Sequence, residues 1–228
     1  MSSETYSQLL SLAVHEMRTP AGIVGGYLQM LQRDAAAPLS ERQRKMVDEA
    51  ERSCRRLVEL IGELSEVQKL DAERVELAHQ SFDVFRVIES AAAAALQGPD
   101  SRSVRLELRG PSEGAPARGD VTRLQRAYTA VFRAILREVP EHGCVVGERR
   151  LDTRGAQRVA TLVIADESRL NGGWSSDGVP FDEKRGGLGL ALPIARRVIE
   201  RHQGRIWSPG EDERSVAIIS MPLAASVP

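Results

Sequence analysis

Two long stretches of three-and-four spacing open the chain. In the first, Leu9, Leu12, Ala13 and Met17 form an apolar stripe that Ile23, Val24, Tyr27, Leu28, Met30 and Leu31 continue, the pattern of one face of an α-helix. The stripe stops in "RDAAAPLSE", where Pro38 and Ser40 predict a loop and a new N-cap. In the second, Met46/Val47, Ala50, Ser53/Cys54, Leu57, Leu60/Ile61, Leu64 and Val67 keep the rhythm for about four heptads, a coiled-coil-like seam. Two helices joined by a short loop make an antiparallel hairpin. A hairpin has too little core alone, so pairing with a second copy into a four-helix bundle is expected.

After Gln68 the rhythm breaks. "KLDAERVELAHQSFD" reads as a polar connection, and helix and strand patterns then mix. "DVFRVIESAAAAALQ" and "VTRLQRAYTAVFRAILREV" read as helices, separated by the alternating "SVRLELR" and the Gly/Pro loop "GPSEGAPARGD". "CVVGERRL" and "RVATLVIAD" read as strands about a "DTRGAQ" turn. A polar, glycine-rich loop, "ESRLNGGWSSDGVPFDEKRGG", leads to the helix "LGLALPIARRVIERHQ". "GRIWS" and "RSVAIISMPL" close as strands. The pattern predicts an α+β protein: a helical hairpin over 1–74, then an α/β sandwich over 75–228 with helices on one face of a mixed sheet.

Composition narrows the function. The 228 residues are 42% hydrophobic and 28% charged, enough for one or two cored domains. The formal charge of −1, from 31 basic and 32 acidic residues, gives no net field toward nucleic acid or an anionic membrane. Cys54 and Cys144 lack ligand-type spacing, which points to a reducing, cytoplasmic compartment. No apolar run reaches the roughly 18–20 residues of a membrane span, and no signal peptide precedes the first helix. The early start of that helix is compatible with a fragment of a longer protein.

The candidate chemistry begins at "HEMRTP". On a helix, His15 points roughly 160° from the mean direction of the apolar stripe, so its imidazole belongs in water. Arg18 and Thr19 lie three and four residues on, across one turn. The start of the zinc-protease pattern H-E-x-x-H is present, but Thr19 stands where the second histidine ligand is needed. Pro20 sits in the helix interior, where a proline cannot donate to the carbonyl four residues back and costs about 3 kcal/mol. A loosened turn beside an exposed imidazole can adapt to a docked partner.

"HEMRTP" resembles the H-box of the histidine kinases of two-component signalling, and the following hairpin and "FDVFRVIESA" resemble that family's passage from dimerisation domain to ATP-binding domain. The resemblance implies that His15 accepts a phosphoryl group from ATP and passes it to an aspartate of a response regulator receiver domain. It makes Glu16 the acid/base partner and gives Thr19 the position that orients water in dephosphorylation. It implies a homodimer and, for the second half, the GHKL ATPase fold.

"GGLGLALPIARRVIERHQGRI" resembles the G2 box. By this likeness Gly187 and Gly189 let backbone N–H groups approach phosphate at a helix N-terminus. Asp166, ending "TLVIAD", takes the place of the adenine-recognising aspartate, but D-x-G-x-G reads "DESRL", with Ser168 and Leu170 replacing both glycines. In the N-box, Arg123, Leu124, Arg137 and Pro140 match, while Ala130 and Ala134 replace both asparagines, the second being the family's Mg²⁺ ligand. Alanine offers that ion no oxygen. Arg126, Arg133 and Arg137 share a face with Ala130, and guanidinium groups neutralise phosphate directly. The lid is short: "DEKR" alone separates Phe181 from Gly186, with Lys184 and Arg185 in reach of phosphate. The resemblance therefore implies weak ATP binding with Mg²⁺ poorly held and no protein metal ligand. A histidine phosphotransferase or pseudokinase scaffold with a non-functional ATP site is the alternative.

Overall fold

The computed structural model describes residues 3–34, 37–97, 104–155, 157–170, 178–184, 188–210, 213 and 215–224, with side chains from residue 9 onward. It divides into two compact units, Met1–Val75 and Glu76–Pro228. No helix among the described residues is long and apolar enough to cross a membrane.

The first unit is a pair of helices, α1 (Ser3–Arg33) and α2 (Glu41–Asp71), 31 residues each. α1 continues through Pro20 without a break. α2 starts on a capping box: Ser40 Oγ accepts the Gln43 N–H, and Gln43 Oε1 accepts the Ser40 N–H at 3.0 Å. The pairing runs antiparallel. Gln32 donates to Asp48 at 2.8 Å and Glu51 at 3.2 Å, while further back along α1 the Cys54 thiol donates to the Ala21 carbonyl at 3.1 Å. Gly25 faces that sulfur, where even an added Cβ would stand at 3.4 Å, an ordinary van der Waals contact.

α1 has two apolar faces, not one. Val14, Ala21 and Gly25 turn inward, and Val14 is buried. Leu9, Leu12, Ile23, Tyr27, Met30 and Leu31 lie on roughly the opposite side, and all six are exposed.

The second unit holds the remaining elements: β1 (Gln80–Asp83), α3 (Val84–Leu96), β2 (Arg105–Arg109), β3 (Pro116–Gly119), α4 (Val121–Glu138), β4 (Cys144–Arg154), β5 (Gln157–Asp166), β6 (Val179–Pro180), α5 (Ala191–Arg201), β7 (Arg205–Ser208) and β8 (Val216–Pro222). Six strands form one mixed sheet in the order β2-β4-β5-β8-β7-β6, with β2 parallel to β4 and the other pairs antiparallel. α4 packs between α3 and α5 and against β5 and β8. Gly147 on β4 lies under α4, where an added Cβ would stand 3.3 Å from the Phe132 ring and 2.7 Å from Leu108. Phe85, Leu124, Tyr128, Phe132, Ile164 and Ile199 are wholly enclosed in this layer.

Strand alternation sends the neighbouring residues to the other face. There Val146, Val163, Ala165, Val216 and Ile218 form a second apolar cluster with Leu170 and Trp207. The guanidinium groups of Arg154 and Arg205 stand 5.0 and 5.1 Å from the Trp207 ring centre, a cation–π arrangement. β1 and β3 make a separate antiparallel pair. Both lie where the sequence reads as polar connection and Gly/Pro loop. Asp83 organises the pairing: its Oδ1 accepts the Phe85 N–H to cap α3, and its Oδ2 accepts the Gly114 and Ala115 N–H groups at 2.7 and 3.0 Å. One carboxylate thus satisfies three donors, a signal no hydrophobic periodicity carries.

Candidate functional site

The candidate residues fall in both units. On α1, His15 is three-quarters exposed, with 76% of its side chain accessible, and Glu16 beside it is 72% accessible. His15 takes the flank between the two apolar faces, about 100° from each on an ideal helix, because the expected single stripe divides. His15 Nδ1 stands 3.3 Å from Glu16 Oε1. A carboxylate only accepts, so in this contact Nδ1 carries the proton and Nε2 keeps its lone pair toward solvent. Glu16, not Arg18 or Thr19, is the group touching the ring. Thr19 and Arg18 are exposed on the following turn. Pro20 has no N–H for the Glu16 carbonyl, so the usual helical hydrogen bond cannot form at the residue beside the imidazole. The arrangement presents one nucleophilic nitrogen and one proton acceptor on an open surface.

In the second unit, Asp166 ends β5 and caps a 3-10 turn over Glu167–Arg169. Its Oδ1 accepts both the N–H of Ser168 at 2.9 Å and its hydroxyl at 2.6 Å. Leu170 is buried in the cluster on the far face of the sheet. The two residues in the glycine places thus tie the loop to Asp166 and to the sheet. Glu167 pairs with Arg109 on β2, and Glu167 and Glu107 together push the Arg109 guanidinium further up.

On α4, Ala130 is buried and Ala134 is 1% exposed. Its side chain has neither an oxygen nor an opening to solvent. Arg126 is exposed, and Arg137 lies half-buried in the last turn. Arg133, on the same arginine-bearing face, donates to the Ala94 carbonyl at 3.3 Å. It satisfies a terminal carbonyl of α3, where a cation also suits the helix dipole.

Gly189 takes φ +60, a left-handed conformation that a Cβ disfavours. Leu190 then begins α5 with no side-chain cap. Lys184 is exposed, its N–H donating to Asp182 at 2.9 Å, and its neighbour Glu183 lies 3.3 Å from Arg196 on α5. Gly187 and Arg185 lie outside the described residues.

One functional-looking residue escaped the sequence reading. His202, at the end of α5, is buried, with Nδ1 2.7 Å from the Val198 carbonyl and Nε2 accepting the Asp120 N–H at 2.9 Å. Asp120 in turn caps α4 through Arg123 N–H at 3.0 Å. Burial draws the His202 imidazole below its ordinary value. The one legible signal was a histidine beside a glycine turn, which by itself is uninformative.

Comparison with known proteins supplies the family. The model of the His Kinase A (phospho-acceptor) domain matches residues 5–73. Histidine protein kinase DivJ of Caulobacter vibrioides is 24% identical over 211 residues, covering 88% of this chain and 34% of that protein. The probable sensor histidine kinase TcrY of Mycobacterium tuberculosis is 29% identical over 231 residues, covering 95% of this chain and 46% of that protein. The chain therefore spans about a third to a half of these relatives. Among solved structures, full-length ShkA in complex with AMPPNP matches at TM-score 0.68 and 19% identity, covering 96% of this chain and 47% of ShkA. The histidine kinase ThkA in complex with the response regulator protein TrrA matches at TM-score 0.58 and 19% identity, covering 95% of this chain and 61% of ThkA. Residues 5–73 therefore belong to the His Kinase A (phospho-acceptor) domain family, and nearly the whole chain is similar in sequence and fold to histidine kinases.

Proposed function

We propose that this chain carries a phosphoryl group on His15 and transfers it to an aspartate of a response regulator receiver domain. The observation that carries this reading is the exposed imidazole whose Nδ1 faces Glu16 and whose Nε2 is open to solvent. Nε2 attacks phosphorus, a P–N bond forms, and the P–O bond to the donor breaks with its electron pair leaving on the donor oxygen. Glu16 stabilises the ring proton as positive charge develops. Transfer onward reverses these roles, with the receiver aspartate as nucleophile. Thr19 stands one turn on, placed to orient water when the regulator is dephosphorylated. The ThkA complex with a response regulator supports the choice of partner. Receiver domains work in the cytoplasm, which is where this reading puts the chain.

The exposed apolar face of α1 supports a homodimer whose four helices bury it. The nucleotide site is weaker. ATP would be held by Asp166, Gly187, Gly189, Arg137, Lys184 and Arg185, but the residues present do not fit Mg²⁺ at position 134, where the enclosed Ala134 methyl offers no donor. Autophosphorylation is therefore slow in this reading. The phosphotransferase alternative, in which a phosphorylated regulator charges His15, is favoured by the same alanine and by the Ser168 hydrogen bonds that already occupy Asp166 Oδ1.

Two measurements test this. Incubation with radiolabelled ATP and Mg²⁺ gives faint, acid-labile label that His15→Ala abolishes; acid-stable label, or label that survives the substitution, removes His15 as phosphoacceptor. Calorimetric titration with a non-hydrolysable ATP analogue then separates kinase from phosphotransferase. Sub-millimolar, Mg²⁺-dependent binding supports the kinase, and absence of heat supports the phosphotransferase.

A further inference from the structure

At the C-terminal end of α5, the end remote from Gly189, lies a cavity of about 330 Å³ walled by β3, the start of β5 and the end of β8. We infer that this cavity is a binding site for a small amphiphilic anion, an acid head group on a short aliphatic body. Charge and apolar surface both point that way. Arg118, Arg201 and His79 line it, and its lining contains no Asp or Glu among the described residues. The carboxylate behind it, on Asp120, is already engaged: Oδ1 accepts the Arg123 N–H, and Oδ2 stands 3.4 Å from both the Ala78 N–H nitrogen and Arg123 Nε. Arg118 and His79 therefore face the cavity with no carboxylate among its described lining residues. Leu77, Met221 and Leu223 supply an apolar lining, and Met221 is buried at 2% exposure. A guanidinium matches a carboxylate with two parallel hydrogen bonds, and the apolar lining takes the aliphatic body.

The cavity is pre-formed, because rigid parts of the core make its floor. The His202 ring is held at both nitrogens. β3 lies so close to it that a Cβ on Gly119 would stand 2.3 Å from the imidazole carbon. Gly204 allows the same approach beneath Met221, where a Cβ would stand 2.4 Å from the sulfur. The chain end closes the wall through the Ala224 N–H to the Pro116 carbonyl at 2.8 Å. Burial keeps the His202 ring neutral, so it serves as a floor and the arginines supply the charge. At roughly 30 Å³ per water-sized unit, the space takes a ligand of about ten non-hydrogen atoms.

Sodium octanoate is the probe, titrated into the ¹⁵N-labelled full chain and followed by amide shifts. Saturable shifts are expected at Arg118, Gly119, Gln203 and Leu223 at or below about 10 mM, an ordinary range for a ligand this small. Arg118→Glu, an exposed position, is expected to weaken binding about tenfold or more while leaving the rest of the spectrum in place. Octylammonium of the same length is expected to leave those four amides unmoved, and inorganic phosphate to bind more weakly than octanoate. Octanoate shifts confined to α1, an Arg118→Glu protein that binds unchanged, or equal binding by the cation each overturn the anion site. Phosphate binding as tightly as octanoate overturns its apolar half.

Discussion

The two units handle apolar surface in opposite ways. Among the described residues of the hairpin, four hydrophobic side chains are buried (Val14, Cys54, Ile61 and Leu70), while eleven large ones are exposed. The α/β unit reverses the ratio, with Leu96 and Leu151 its exposed large hydrophobics. A fully buried side chain of this kind is worth about 1.5–3 kcal/mol. The second unit gains that within one chain, from helices and sheet closing on each other. The first leaves most of it exposed. The proposed phosphoacceptor, His15, follows the same division. In that role it would meet more than one visitor, and a two-helix stalk leaves its flanks open, where a closed core would enclose the imidazole.

The largest effect separates these two kinds of surface. Phe132→Ala, at 0% exposure on the sheet-facing side of α4, is expected to cost about 3–5 kcal/mol in denaturant unfolding of the second unit. Leu57→Ala on α2, at 56% exposure, is expected to cost under about 0.5 kcal/mol at protein concentrations too low for pairing. Equal losses would erase the contrast.

Next in size, paired Tyr27→Asp and Leu31→Asp substitutions should raise the dissociation constant of a homodimer by about a hundredfold or more, since two charges would enter an apolar seam. Sedimentation checks this, and a dimer that persists unchanged means the exposed face of α1 serves something else.

Acid should act on the second unit through His202. Its folded-state value lies below the ordinary 6.5 because of burial. Between the two values the unfolded chain binds a proton that the folded chain does not, so its stabilising contribution is complete above about pH 6.5 and declines as pH falls. Thermal melts from about pH 7 to about pH 5 should show a decline that His202→Gln flattens. Asp120 and Arg201 face this ring together with His79. An unchanged slope in His202→Gln would assign the decline to other groups.

The smallest change tests the hairpin's own order. Ser40→Ala removes half the capping box at the start of α2 and should destabilise the hairpin by about 1 kcal/mol, read as lost helicity on mild heating.

Much of the architecture was legible, for identifiable reasons. α1, α2, α4 and α5 announce themselves because an apolar face recurs over many turns, and β4, β5 and β8 because buried strands need continuous β-branched runs. β1, β3 and β6 did not, being too short to show a period and resting on Asp83 or on neighbouring strands. Position 15 was legible as a chemical motif, and its exposure followed from helix geometry. Glu16 as its partner came from the resemblance and not from spacing, which favours groups three and four residues on; Glu16 stands 3.3 Å from Nδ1 through its own rotamer. The hydrogen bond from Arg133 to Ala94 was illegible for a related reason: sharing a face with other arginines says nothing about the carbonyl of a neighbouring helix.

Local sequence determined the helical hairpin, the His15–Glu16 pair and the alanines at 130 and 134, since each depends on residue identity at fixed spacing along one element. Tertiary structure decided which apolar face of α1 is covered, where the substituted loop after Asp166 is anchored, and how β3, α5 and β8 enclose a basic cavity. Those outcomes depend on atoms far apart in the chain, and pattern along a single element has no access to what lies across from it.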